Sequence, residues 1–343
     1  MNRWFGALLF FCAAFSAAQD QPATKISGLV FGDYFYKISG DSSGSVGQYA
    51  PLKKDEQGFQ LRRLYLYVDH SFSDRFATQL LLEGNDKSFD PGGRQGVFVK
   101  TAFVEWKEIF PMSSFQIGLI PTPTWISVAE KIWNYRPIEK TIADFRGLGV
   151  ATDFGASLRG KLTGDGLLGY HVMIGNGNGQ KPETNKFKKF YGALDVKPAN
   201  TFTLQAYADY EPAPGTADRT TLKGFAAYED PSLTVGAEAV QQLQLNGAGN
   251  RRPLGFGLFA RAPIPGASGV SAFARFDYFD NDANESSTGF RENFITIGLD
   301  YMPVENVHFM PNVWINTYAD KSPANVSRDA DVAGRLTFFF VYR

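Results

Sequence analysis

One rhythm runs through this chain: sixteen segments alternate apolar and polar residues with a period of two, and the links between them alternate between short and long. Segment 151–162 puts Phe154, Ala156, Leu158 and Leu162 on one face and Asp153, Ser157, Arg159 and Lys161 on the other. Segments 202–210 and 270–279 repeat the pattern, Leu204 beside Gln205 and Phe276 beside Arg275. That period belongs to a strand with one apolar face. The segments begin near residues 26, 59, 75, 97, 114, 149, 167, 187, 201, 220, 232, 254, 269, 291, 305 and 330.

The links decide between a soluble sandwich and a membrane barrel. Short turns fall at 71–74, 163–166, 197–200, 230–231, 263–266 and 303–306, and longer polar loops at 39–58, 86–96, 121–148, 176–186, 212–219, 244–253, 281–290 and 319–329. An even strand number with short turns at one end and long loops at the other is the pattern of a transmembrane up-and-down barrel. In hydrocarbon every backbone N–H and C=O must find an internal partner, and only a helix or an edgeless sheet provides that. Beyond the N-terminal leader no stretch reaches the roughly 18 apolar residues of a spanning helix, and no buried helix is expected. The predicted fold is therefore all-β: a 16-stranded antiparallel transmembrane barrel. Trp106, Tyr210, Tyr301 and Tyr342 near strand ends suit the aromatic girdles of such a barrel.

Both chain ends agree with this reading. Residues 335–343 read R-L-T-F-F-F-V-Y-R, an aromatic-rich strand with Leu336, Phe338, Phe340 and Tyr342 on one face. At the other end, Arg3 precedes an apolar run that stops at Ser16, Ala17 and Ala18, the form of a secretory signal peptide. Residues 1–18 are expected to be removed and residues 19–343 to form the barrel domain. Cys12, the single cysteine, falls in the leader, so neither a disulfide nor a cysteine metal site is expected. The 34 basic and 35 acidic residues give a net charge of −1, which offers nothing to nucleic acid. His70, His171 and His308 are dispersed without metal-ligand spacing.

The third long loop differs from its neighbours. Residues 121–148 carry Trp125, Ile126, Ile132, Trp133, Tyr135, Ile138 and Phe145, an apolar surface that can be buried by folding against the inner wall. This loop is predicted to fold inward and narrow the lumen. It also brings Lys131, Arg136, Lys140 and Arg146 against Glu130, Glu139 and Asp144, a balance of +1.

With the apolar parity facing lipid, Arg63, Arg159, Lys161, Lys189, Arg261, Arg275 and Arg335 point inward with Glu83, Asp153, Asp195, Asp277 and Asp300. Basic side chains lining a pore favour anions. The candidate constriction residues are Arg63, Arg136, Lys140, Arg146, Arg159, Lys161, Arg275 and Arg335, with Arg136, Lys140 and Arg146 expected near Arg159 and Lys161. Segment 97–106 shows no clean parity, which leaves Lys100 without a face. Gly155–Lys161 looks like a phosphate-binding loop, but Leu162 stands where Ser or Thr is required and the segment alternates as a strand.

Three stretches carry a family resemblance. Residues 58–68, G-F-Q-L-R-R-L-Y-L-Y-V, followed by Phe72-Ser73-Asp74-Arg75-Phe76, resemble the early strand pair of the phosphate-selective porin O and P family. Residues 116–123, Q-I-G-L-I-P-T-P, leading to Glu130 and Trp133-Asn134-Tyr135-Arg136, resemble that family's third loop, and Ile174-Gly175-Asn176-Gly177 a later strand end. Arg343 stands where the family has a terminal aromatic residue. The resemblance implies a trimeric outer-membrane porin with basic residues along its channel. The expected function is passive diffusion of small hydrophilic solutes, anion- or phosphate-preferring, with no reaction, cofactor or metal. A general or cation-tolerant porin is the alternative among channels, and a barrel enzyme or adhesin the alternative among other classes.

Overall fold

Tilted strands of about 9–11 residues suffice to cross a bilayer, and the chain supplies sixteen of 8–17 residues. The structure, a computed structural model, describes residues 23–246, 249–322 and 327–343. The expected signal peptide and Cys12 lie outside the described residues. In chain order the strands are β1 (Ala23–Ser39), β2 (Gln57–Ser71), β3 (Phe76–Asn85), β4 (Phe98–Phe110), β5 (Ser113–Pro121), β6 (Thr152–Lys161), β7 (Leu168–Gly175) and β8 (Lys189–Ala199). They continue as β9 (Phe202–Glu211), β10 (Arg219–Asp230), β11 (Leu233–Gln244), β12 (Leu254–Pro263), β13 (Val270–Asp280), β14 (Phe290–Val304), β15 (Val307–Asp320) and β16 (Asp331–Tyr342). Each pairs antiparallel with its sequence neighbours, and β16 closes on β1 from Gly28↔Tyr342 to Ser39↔Val332. The predicted barrel is thus the observed one, and closure leaves no edge strand.

Period-two burial is plainest in β9, where Phe202, Leu204, Ala206, Ala208 and Tyr210 are exposed on the outer wall while Thr203, Gln205, Tyr207 and Asp209 are buried within. Leu222, Phe256, Leu258, Phe276, Ile295, Ile297 and Leu299 continue the apolar exterior. Near the turns aromatic pairs stand outside the wall, including Phe76 stacked on Trp106 with centroids 5.5 Å apart and Phe202 against Tyr228 at 5.1 Å.

Of the bulges that break the period, two turn basic residues inward. Between Phe31↔Arg63 and Gly32↔Leu61 strand β2 carries one extra residue, Arg62. Between Leu81↔Thr101 and Leu82↔Val99 strand β4 carries another, Lys100. A bulge sets two consecutive residues against one partner. Arg62 therefore joins Arg63 on the inner face, and Lys100 joins Thr101. This explains why segment 97–106 has no single parity.

Residues 122–151 enter the lumen and form two short helices, α1 (Ala129–Trp133) and α2 (Ile142–Phe145), both burying apolar side chains. The expectation of no buried helix is corrected here. The lumen wall supplies the apolar surface that lets one or two helical turns form where strand alternation stops. Among the described residues no helix is long and apolar enough to cross a membrane.

Candidate constriction of the lumen

The inner wall is not uniformly polar, and its apolar sector decides where the third loop docks. Phe225, Val240, Phe259, Phe273, Phe279 and Met310, contributed by β10–β13 and β15, point inward and bury Trp125, Ile132, Trp133, Ile138 and Ile142 of the loop. Burying a large apolar side chain is worth about 1.5–3 kcal/mol, so the loop has strong reason to lie on this side. The Trp133 ring sits 4.9 Å from Phe259 and donates its indole N–H to the Glu139 carbonyl at 2.8 Å. Room for α2 comes from glycine: a Cβ at Gly255 would lie 2.8 Å from Ile142 Cδ1.

A buried loop must also find partners for its backbone. Wall side chains supply them. Arg62 Nη1 donates to the Pro137 carbonyl at 2.6 Å, Arg275 Nη1 to the Lys140 carbonyl, and Gln242 Nε2 to the Leu148 carbonyl at 3.2 Å. Side-chain ties add to these: Tyr135 Oη to Asp300 at 3.0 Å, Trp314 Nε1 to Glu139 Oε2 at 3.0 Å, and Arg146 to Glu292 at 2.7 Å.

The face of the loop turned away from the apolar sector is charged. Arg136 Nη1 lies 2.9 Å from Asp144 Oδ2 and its Nε 3.5 Å from Glu130 Oε2. On the wall, Glu83 bridges Arg63 at 2.8 Å and Lys100 at 3.1 Å, and Arg62 lies 3.4 Å from Asp33. Between loop and wall is a cavity of about 40 Å³ lined by Phe31, Gly47, Gln48, Arg62, Arg63, Asp86, Lys87, Arg136, Glu139 and Lys140. Five of these residues are basic and two acidic, a balance of +3. That volume holds roughly three waters at about 10–15 Å³ each. Among the described residues Lys140 and Lys87 make no direct ion pair, although Asp86 and Glu139 line the same cavity. Burial pushes the Lys140 ammonium below its ordinary pKa, opposed by Asp144. Burial likewise pushes the Glu130 carboxyl up, against the pull of Arg136.

The eight residues singled out from sequence fall into three places. Arg63, Arg136 and Lys140 meet at this cavity. Arg159 and Lys161 line a separate space of about 520 Å³ toward the short turns, with Met112, Tyr170 and Asp195, and Arg159 pairs with Glu105 at 2.9 Å. Arg146 of the loop and Arg275 and Arg335 of the wall are taken up where loop and wall meet: Arg146 on Glu292, Arg275 on Asp277, and Arg335 donating Nε to Asn312 at 2.7 Å. The expected proximity of Arg136, Lys140 and Arg146 to Arg159 and Lys161 is corrected by this division. The loop docks by its apolar face on β10–β15, which turns Arg136 and Lys140 toward β2 rather than β6.

Sequence reading did not single out Arg62 or Lys87 for the site, named Glu139 only in the third loop's charge balance, left Lys100 without a face, and read residues 39–58 as a polar loop with no sign that it folds inward. The Arg62-Arg63 pair carried a usable signal, because strict alternation would place one guanidinium in lipid and a bulge avoids that cost. The inward face of β12, Gly255-Gly257-Phe259, carried another, being apolar on both sides and so in need of an internal cover. Nothing local marked loop 40–56. Its Tyr49 and Ala50 are nonetheless fully buried against Phe145, Phe294, Trp314 and Ala333. Among the described residues no cluster of three or more His, Cys, Asp or Glu could hold a metal.

Comparison with solved structures returns the same architecture. The chain is similar to an anion-selective porin from Comamonas acidovorans, with 13% identity, a TM-score of 0.67, and coverage of 94% of this chain and 100% of that one. The outer membrane channel DcaP of Acinetobacter baumannii gives 12% identity, a TM-score of 0.66, and coverage of 94% and 97%. OmpT, an outer membrane protein of Vibrio cholerae described in a trimer form, gives 11% identity, a TM-score of 0.61, and coverage of 94% and 100%. No family model matches the chain, and no curated protein matches it. At such identities the likeness is one of fold: a closed barrel of the 16-stranded porin kind.

Proposed function

We propose that this protein is an outer-membrane porin through which small hydrophilic solutes diffuse passively, with anions favoured. The observation that carries the reading is the cavity between loop 122–151 and β2, where five basic residues stand against two acidic ones. An ion about 4 Å from one charge gains or loses about 1 kcal/mol in water and several times that near a low-dielectric wall. Arg62, Arg63 and Arg136 are paired with Asp33, with Glu83, and with Glu130 and Asp144 behind the lining. The bias therefore comes from which charges face the space, where cations outnumber carboxylates, and not from the net charge of the whole site. Further support comes from the apolar outer wall with its aromatic pairs, the expected secretion signal, and the fold shared with an anion-selective porin. Phosphate is a natural member of the solute class, since guanidinium groups donate in pairs to its oxygens. We assign the chain to the bacterial outer membrane, bound to lipid and assembled as a homotrimer. It catalyses no reaction and uses no cofactor.

Purified protein in a planar bilayer under asymmetric KCl tests the reading. Reversal potentials of the sign set by chloride support it, and block of chloride current by inorganic phosphate extends it to phosphate. A potential of the opposite sign refutes anion preference in favour of a cation-tolerant porin, a reading to which Glu83, Glu130 and Asp144 around the same passage lend weight.

A further inference from the structure

Loop 40–56 enters the lumen as well, although its sequence has none of the apolar density of loop 122–151. Its anchor is Tyr49, whose ring lies 5.5 Å from Trp314 and 5.7 Å from Phe35. Tyr49 Oη donates to Asp33 Oδ2 at 2.6 Å, and its carbonyl accepts from Lys37 Nζ at 2.8 Å. The Arg335 guanidinium stands 5.0 Å from the ring centroid. Gly47 takes a left-handed conformation (φ 64°), and a Cβ there would lie 3.2 Å from the Phe145 ring of the other loop. The two loops therefore pack on each other, and Gly47 and Gln48 become part of the cavity lining.

Gln48 is held in one sense. Its Oε1 accepts from Arg62 Nε at 3.2 Å, which leaves Nε2 as the free end of the amide. That nitrogen is buried and has no hydrogen-bond partner among the described residues. A buried donor without an acceptor costs free energy until one arrives, and the cavity Gln48 borders is lined by five cations and two carboxylates. In this conformation the nitrogen has almost no surface open to water; a small rotation of the side chain would turn it into the adjoining space, where an anion bearing oxygens satisfies both the donor and the surrounding charge.

We propose that Gln48 is a specificity-determining residue of the constriction, donating its Nε2–H to a small oxyanion in transit, and that Tyr49 is the residue that positions it. The inference rests on the channel reading above. It adds a neutral donor from the first loop to the cations of the wall and the third loop. A halide offers one spherical acceptor; an oxyanion offers several oxygens, which can accept from this amide and from the neighbouring guanidinium groups at the same time.

The experiment compares parent, Gln48→Leu, Gln48→Glu and Tyr49→Phe in planar bilayers, each first shown to migrate as a folded, heat-modifiable barrel. Inorganic phosphate is the probe. Gln48→Leu is expected to raise the phosphate concentration that half-blocks chloride current roughly tenfold, as for loss of one hydrogen bond to a charged acceptor, while the reversal potential in KCl stays put. Tyr49→Phe, which keeps the packing and loses the hydroxyl, should move the block in the same direction by less. Gln48→Glu should shift the reversal potential toward cations. The inference is overturned if phosphate does not block the parent, if Gln48→Leu leaves the block unchanged, or if Gln48→Glu leaves the reversal potential unchanged. The sign of the parent's reversal potential separately tests anion preference, so either can fail while the other stands.

Discussion

Neutralising Lys140 tests the electrostatic contribution of the third loop most directly, because this residue lines the constriction and, among the described residues, makes no direct ion pair whose partner its removal would strand. A passing ion about 4 Å away feels roughly 1 kcal/mol in water, reduced to about 0.7 kcal/mol by a Debye length of about 10 Å at 0.1 M salt. Lys140→Gln removes that attraction for an anion and that repulsion for a cation. The difference, about 1.4 kcal/mol, corresponds to a tenfold drop in the anion-to-cation permeability ratio. Reversal potentials in asymmetric KCl measure the ratio directly, and raising the salt to 1 M should shrink the effect as the Debye length falls to about 3 Å. Arg136→Gln should shift the ratio less. Its removal leaves Glu130 and Asp144 adjacent without their cation, and one of them then takes up a proton and restores part of the charge. Arg146→Gln is the control: this guanidinium is buried on Glu292 and Asn316, away from the cavity. A Lys140→Gln channel indistinguishable from the parent, or one matched by Arg146→Gln, refutes the assignment of selectivity to this cavity.

Trp133→Ala should cost about 3–5 kcal/mol of loop docking, as for other buried aromatic truncations, and should raise single-channel conductance while the barrel keeps its heat-modifiable migration; unchanged conductance means the loop does not narrow the path. Cysteines at positions 204 and 205 should label oppositely, since Leu204 faces outward and Gln205 inward, and Leu204→Arg at the midplane should cost about 2–4 kcal/mol; an aqueous thiol reagent reaching position 204 first would reverse the facing. Because burial raises the Glu130 carboxyl, this group gains its proton at a higher pH than an ordinary glutamate as pH falls, the constriction loses a negative charge, and anion preference should rise. A Glu130→Gln channel that keeps the full pH dependence assigns the effect elsewhere.

The barrel, the facing of most strands and the inward fold of the third loop are legible in the residues alone, because each of these is local. Alternation is written in neighbouring residues, so Leu204 against Gln205 needs no knowledge of what lies across the lumen. The density of tryptophan and isoleucine between 125 and 145 cannot stay in water whichever wall receives it. Tertiary structure alone decided which cations share a space. The bulges that turn Arg62 and Lys100 inward exist only in the register between paired strands. Loop 40–56 has one strong anchor, Tyr49, and its site is assembled from β1, β14, β15, β16 and the third loop. Arg136 and Lys140 face β2 because the apolar sector lies on β10–β15, a placement set by residues about a hundred positions away. Strand periodicity is a property of a segment and can be read from it; a constriction is a property of surfaces that meet only after the barrel has closed.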